Sequence, residues 1–171
     1  MAEVHEQSVR LFYAMWPDPS TSERLVHLQS ALTGRKTQPA DLHLTLVFLG
    51  NQPSSLLPAL EDALNHLHVA QMTLDIDELG YFPRNRIAWA GMVSPPAALF
   101  ALQQELVDAL SLRDIDFPRE AKYRPHITLA RNTSPSGHTL FPPICWRANK
   151  VVLARSTGQD SGPKYEILAG H

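Results

Sequence analysis

An α+β chain built from one unit used twice is the fold class this sequence predicts. Three observations carry that expectation. The motif His-apolar-Thr-Leu occurs twice, as His43-Leu44-Thr45-Leu46 and as His126-Ile127-Thr128-Leu129. Each copy lies in a segment whose apolar residues alternate like a strand. Each is also preceded by strand then helix, and the copies stand about half the 171-residue chain apart. Helix-spaced leucines between alternating segments argue for mixed layers around one core.

The elements follow in order. Val9 to Met15 reads as a first strand, ended at Trp16-Pro17-Asp18-Pro19. Ser20 with Glu23 makes a capping-box pattern before Leu25, Leu28 and Leu32, and Gly34 is placed to stop that helix. Leu42 to Leu49 is the first motif strand, closed by Gly50-Asn51. Leu56, Leu57, Leu60, Ala63, Leu64 and Leu67 mark one face of a second helix. Met72, Leu74 and Ile76 alternate with Thr73, Asp75 and Asp77, a half-buried strand with a solvent-facing acidic side. A turn over Gly80 to Asn85 leads to a strand over Arg86 to Val93. Ser94 as N-cap and Pro95 at the first helical position open a third helix, with Leu99, Leu102, Leu106 and Leu110 inward. Pro125 to Ala130 is the second motif strand, and Val151 to Ala154 and Lys164 to Leu168 close the chain.

Composition narrows the function. Hydrophobic residues make up 44% and charged residues 19%, enough for a sizeable core. A formal charge of −2 argues against a surface that tracks long nucleic acid, but leaves room for a local basic patch that holds one phosphate. One cysteine, Cys145, excludes an internal disulfide and a thiolate cluster, and its place between Ile144 and Trp146 suggests a core residue. With no signal-like apolar region and no span-length stretch, the expected location is the cytoplasm, away from membranes. No phosphate-cradling Gly-rich loop and no serine nucleophile elbow is present.

On a strand, residues two apart share a face, so His43 and Thr45 point one way, as do His126 and Thr128, while the apolar partners face a core. Histidine is the side chain that trades protons near neutrality. Two imidazoles facing each other across a cleft could serve an in-line displacement at phosphorus, one taking a proton from the attacker and one giving a proton to the leaving oxygen. The threonines suit the non-bridging oxygens. Around the second motif Arg119, Lys122, Arg124 and Arg131 are offset only by Glu120. Arg124 shares strand parity with His126. Arg131 has the opposite parity and reaches the site only if the strand ends or bulges after Ala130. His66 and His68 read as the solvated end of the second helix, and His5, His27, His138 and His171 as surface residues. Phe12, Tyr13, Trp16, Phe48, Tyr81, Phe82, Trp89, Tyr123 and Trp146 are the aromatics available to hold a base; the parity of Phe48 with Leu44 and Leu46 argues for core.

His43-Leu-Thr-Leu with the trailing Val-Phe-Leu-Gly, and His126-Ile-Thr-Leu-Ala-Arg131, resemble the paired motifs of the two-histidine (2H) phosphoesterase superfamily. Arg10-Leu-Phe-Tyr-Ala and Phe82-Pro-Arg-Asn-Arg86-Ile-Ala-Trp89 resemble its bacterial branch, the RNA 2′,3′-cyclic phosphodiesterases also called 2′-5′ RNA ligases. The resemblance implies a bilobal, internally duplicated α+β fold: one domain over residues 1–171, two mainly antiparallel sheets flanking a central cleft, helices outside, one motif from each lobe. It implies hydrolysis of RNA 2′,3′-cyclic phosphate ends to 2′-phosphates with no metal and no cofactor, and reversible 2′-5′ joining of RNA ends. It assigns His43 as proton donor and His126 as proton acceptor, with Thr45, Thr128 and Arg131 on the phosphate; the strand pattern alone does not say which histidine is acid and which is base. The expected partner is RNA with a cyclic phosphate end, tRNA halves included, bound by a monomer. Two other readings stand beside it: a chain whose main task is joining tRNA halves, and an RNA-end binding module without turnover.

Overall fold

The computed structural model describes residues 6–135 and 137–171. Nine strands and three α-helices occur among them: β1 Ser8–Met15, α1 Pro19–Gln29, β2 Arg35–Lys36, β3 Leu44–Pro53, α2 Leu57–Asn65, β4 Met72–Phe82, β5 Ile87–Gly91, α3 Ala97–Leu112, β6 Ile127–Arg131, β7 Thr139–Ala148, β8 Val152–Ser156 and β9 Tyr165–Gly170. Strand neighbours run in the order β7-β4-β5-β6-β3-β1-β8-β9, with β2 beside β6. Every pairing is antiparallel. The expected α+β class is what this order describes, but the two expected sheets are corrected to one continuous nine-stranded antiparallel sheet, because the motif strands β3 and β6 pair directly with each other.

β3 and β6, the two motif strands, are paired in the ladder at one position, Leu44↔Ile127. That pair fixes the geometry of everything near it. In its antiparallel register His43 stands across from Thr128 and Thr45 across from His126. All four then project to the face opposite Leu44 and Ile127. Leu44 and Ile127 are fully buried and belong to the main core.

That core lies between the sheet and the helices. Leu25 of α1, Leu60, Ala63 and Leu64 of α2, and Leu99, Leu102, Leu106 and Leu110 of α3 are buried in it, as their helical spacing requires. α1 packs on β6 and β7, whereas α2 packs on α3, β8 and β9, and α3 reaches β3. Each half is therefore roofed partly by a helix that follows a strand of the other half. β1 is central and covered on both sides, so its last five residues are all buried. Leu11, Tyr13 and Met15 face the helices; Phe12 and Ala14 face the other way, in a small cluster with Ala154, Trp16, Phe48 and Tyr165.

Several local expectations are corrected. The N-cap of α1 is Asp18, whose carboxylate accepts from the Thr21 amide at 2.9 Å; Ser20 already lies inside the helix, because Pro19 takes the first helical position. The helix stops at Gln29, before Gly34, whose job is different: a Cβ there would strike the Arg131 and Asn132 backbone. α3 starts at Ala97 with Pro96 as its cap, two residues beyond the Ser94-Pro95 pattern. The turn after β4 covers residues 83–86, with Arg86 at φ 54°, so Gly80 is a strand residue. Gly50 does not end β3. It sits at φ 69° in a bulge, and the strand continues to Pro53. Cys145 is exposed, because alternation on β7 turns Ile144 and Trp146 inward and Cys145 outward. β7 itself was not anticipated. It carries Pro142 and Pro143, which a strand tolerates at a sheet edge, where β7 lies.

Candidate active site

His43 and His126 each precede the first residue of a motif strand, and each is fixed in the same way. His43 Nδ1 lies 2.7 Å from the Asp41 carbonyl, and His126 Nδ1 lies 2.7 Å from the Arg124 carbonyl. A carbonyl oxygen only accepts, so Nδ1 carries the hydrogen in both rings and Nε2 is left as the basic nitrogen. The contribution of Arg124 is thus its carbonyl; its guanidinium is not among the groups lining the cleft. Aromatic rings set the imidazole planes. Trp16 stacks on His43 at 4.7 Å and 20°, with its own indole N–H donated to the Ala40 carbonyl at 2.8 Å. Phe12 lies 5.1 Å from His43, and Tyr165 meets it edge-on at 4.9 Å. Phe82 meets His126 edge-on at 5.1 Å, with Trp89 at 6.4 Å.

Both motif strands are bulged immediately after the threonine. Between Ala14↔Thr45 and Tyr13↔Val47 the β1–β3 register skips Leu46; between Trp89↔Thr128 and Ala88↔Ala130 the β5–β6 register skips Leu129. Consecutive side chains are consequently buried, Leu46 with Val47 and Leu129 with Ala130. The extra residue reverses parity, and the third residue after each threonine returns to the motif face. That residue is Phe48 in one strand and Arg131 in the other. Both line a cleft of about 940 Å³ together with His43, Thr45, His126 and Thr128. Arg131 arrives by the bulge its parity demanded, one residue earlier than Ala130. Phe48 is corrected from core to cleft by the same device.

The cleft is locally cationic although the chain is not. Arg10, Arg35, Lys36, Arg131 and Lys164 line it, against Asp41, Glu120 and Asp160. Arg35 is held beside Arg131 by the β2–β6 pairing. Burial pushes the His43 imidazole down to about 4; the Arg131 and His126 charges push the same way, and the Asp41 carbonyl and carboxylate oppose them. His126 is lowered for the same first reason, burial, with the Arg124 carbonyl and Glu120 opposing. Near neutrality both rings are therefore neutral in the free protein.

Asp41 is the main residue the sequence reading missed. It is buried, its carbonyl orients His43, and both carboxylate oxygens accept from the Lys164 amide, at 3.1 and 3.2 Å. Through it the β8–β9 loop is tied to the first motif. Tyr165, the first residue of β9, is also missed by the sequence reading; nothing local in sequence marks a contact across more than a hundred residues. The other singled-out groups lie elsewhere. His66 and His68 sit at the exposed end of α2 beside Asp62 and Glu105, and His138 pairs with Glu78 at 2.7 Å. His171 Nε2 lies 3.0 Å from the Leu67 carbonyl, His27 is exposed, and His5 is outside the described residues. Among the described residues no group of three or more His, Cys, Asp or Glu is placed to hold a metal ion, and no helix is long and apolar enough to cross a membrane. Tyr13 and Trp146 are core residues, and the Tyr81 and Tyr123 hydroxyls donate to the Thr133 and Thr45 carbonyls.

Two matched imidazoles with free Nε2 atoms, two hydroxyls and an arginine on one sheet face define a protein equipped for acid–base chemistry on an anion. The chain belongs to the 2′-5′ RNA ligase superfamily, whose family model matches residues 14–160. It is 31% identical to an RNA 2′,3′-cyclic phosphodiesterase of Escherichia coli over 78% of this chain and 77% of that one. A protein of the same name from Thermus thermophilus is 32% identical over 94% and 88%. Among solved structures, E. coli LigT complexed with 3′-AMP superposes with a TM-score of 0.85 at 28% identity, covering 96% of this chain and 98% of that chain.

Proposed function

We propose that this chain is an RNA 2′,3′-cyclic phosphodiesterase that opens the cyclic end to a 2′-phosphate, using His126 as base and His43 as acid. The observation that carries this reading is the matched pair of imidazoles, each tied at Nδ1 and free at Nε2, on adjacent antiparallel strands. The names borne by the relatives support the substrate, and the 3′-AMP found in LigT supports a nucleotide in such a cleft.

The step balances with these groups alone. His126 Nε2 takes a proton from water as the water oxygen bonds to phosphorus. The bond from phosphorus to O3′ breaks on the far side, and His43 Nε2–H delivers its proton to O3′. Thr45, Thr128 and Arg131 hold the non-bridging oxygens, where negative charge builds. Because burial keeps both rings neutral in the free protein, His43 gains its proton as the phosphodiester anion enters. The two proton transfers are both assigned to imidazoles, so the scheme calls for no metal. A 5′-hydroxyl replacing water gives a 2′-5′ linkage by the same movements, which makes tRNA halves a second class of substrate. In this reading the chain acts as a monomer, and residues 1–171 are one bilobal unit derived from a repeated half. The matching bulges at Leu46 and Leu129 support that derivation.

The test is a short RNA ending in a 2′,3′-cyclic phosphate, incubated in excess chelator and followed by phosphorus NMR. The reading expects a terminal 2′-phosphate, and a new diester signal when a 5′-hydroxyl RNA is added. A cyclic end that stays intact would leave a binding module instead.

A further inference from the structure

A second cavity, of about 350 Å³, opens between α3 and the segment 117–123. It shares Phe48 and Glu120 with the catalytic cleft, so the two spaces adjoin. Its character is aromatic and cationic. Phe100 and Tyr123 stand edge to face at 6.0 Å and 82°, and the Arg119 guanidinium covers the Phe117 ring at 4.0 Å. Lys122 completes the wall. Phe100 is 40% exposed and lines this cavity from α3. Tyr123 donates its hydroxyl to the Thr45 carbonyl at 2.9 Å, which fastens this wall to the first motif. Among the described residues neither Arg119 nor Lys122 has a carboxylate partner.

We propose that this cavity is a second nucleotide subsite, taking the nucleoside that precedes the cyclic terminus of the RNA. The inference rests on the phosphodiesterase reading above. A polynucleotide whose last residue lies between His43 and His126 must place its neighbour in an adjoining space, and this is a space with a shared wall. Unpaired bases are gripped by aromatic faces with little regard to sequence, which Phe48, Phe100 and Tyr123 provide. Lys122 and Arg119 supply cations for the linking phosphate. Glu120, at the junction, repels that phosphate toward them and offers an acceptor to a base amino group. The penultimate nucleoside is favoured over a separate acceptor strand because it arrives tethered, at high local concentration.

The experiment compares kcat/KM on a 2′,3′-cyclic mononucleotide with that on a dinucleotide ending in the same cyclic nucleotide. It is run on the full chain and on Phe100→Ala and Lys122→Gln, two side chains outside the catalytic cleft. The subsite predicts that wild type prefers the dinucleotide, and that Phe100→Ala removes about tenfold of that preference, in line with the loss of one stacking face. Mononucleotide turnover stays unchanged in both variants. Equal rates on the two substrates in wild type, or equal slowing of both in the variants, overturns the subsite. A defect confined to joining a 5′-hydroxyl strand overturns it in favour of an acceptor site. Wild type that turns over neither substrate overturns the phosphodiesterase reading beneath it, and the subsite with it.

Discussion

Asp41 holds His43 with its main chain and the β8–β9 loop with its side chain. The carbonyl accepts from His43 Nδ1 at 2.7 Å while the buried carboxylate accepts the Lys164 amide. One residue therefore sets the tautomer of an imidazole, contributes negative charge beside it, and anchors the segment that brings Tyr165 against it. Asp41→Asn keeps the carbonyl and an acceptor for Lys164 but removes the charge. The expected result is a loss of several-fold in kcat/KM at neutral pH and a pH profile shifted toward acid, with Tm little changed. Asp41→Ala should lower Tm as well. An unaltered pH profile in Asp41→Asn would show that the carboxylate acts only on the loop.

The rate should depend on pH as a bell displaced to the acid side. Activity requires one protonated and one neutral imidazole, and both are held below the ordinary 6.5 by burial, His43 to about 4. In kcat/KM, which reports the free protein, the maximum should fall below 6.5. In kcat it should move up, because the bound phosphate anion favours the imidazolium. Steady-state profiles of the two constants check this, and coincident maxima above neutrality would count against it.

Stability should follow the same groups with the opposite consequence. The unfolded chain binds a proton at the His43 ring near 6.5, and the folded chain resists it down to about 4. Folding is thus weakened as pH falls through that window and is unaffected by this group above it. Thermal melts from pH 7.5 to 4.5 should show a steeper fall in Tm for wild type than for His43→Gln.

Arg131 reaches the cleft only through the bulge at Leu129, and its planar fork suits a phosphate oxygen pair. Arg131→Ala should cost about 10- to 100-fold in kcat/KM, the size of a charge-assisted hydrogen bond. Arg131→Lys should recover only part of it. Kinetics on the cyclic RNA end measure both.

Gly80 clears the space that Trp89 fills. The two residues are cross-strand partners, and a Cβ on Gly80 would enter the indole ring, which in turn packs on Phe82 and His126. Gly80→Ala should destabilise the fold by about 1–3 kcal/mol and lower kcat by displacing His126. Denaturant titration and kcat together distinguish this from a purely structural change, which would leave kcat intact.

Much of this was legible in the chain. The doubled motif located both histidines and both threonines, and period-two alternation put each pair on one face. Leucine spacing marked the inner faces of α2 and α3; on α1 it found Leu25, but the rest of the buried face is Thr21 and Gln29. What escaped was what depends on the partner strand. A bulge is a mismatch between two strands, so parity alone sent Phe48 to the core and left Arg131 undecided; Gly50 marks only the other β3 bulge, at Leu49. The roles of Asp41 and Tyr165 depend on contacts far along the chain, and β7 was hidden by prolines that only an edge position allows.

The most direct test is kcat/KM on an RNA 2′,3′-cyclic phosphate end for His43→Ala and His126→Ala, in excess chelator. Each substitution should remove about 10²- to 10⁴-fold, wild type should be unaffected by the chelator, and both variants should still bind the RNA end. Wild-type rates in either variant, or full loss of wild-type activity in chelator with recovery on adding a divalent ion, would contradict a site that works through its two imidazoles.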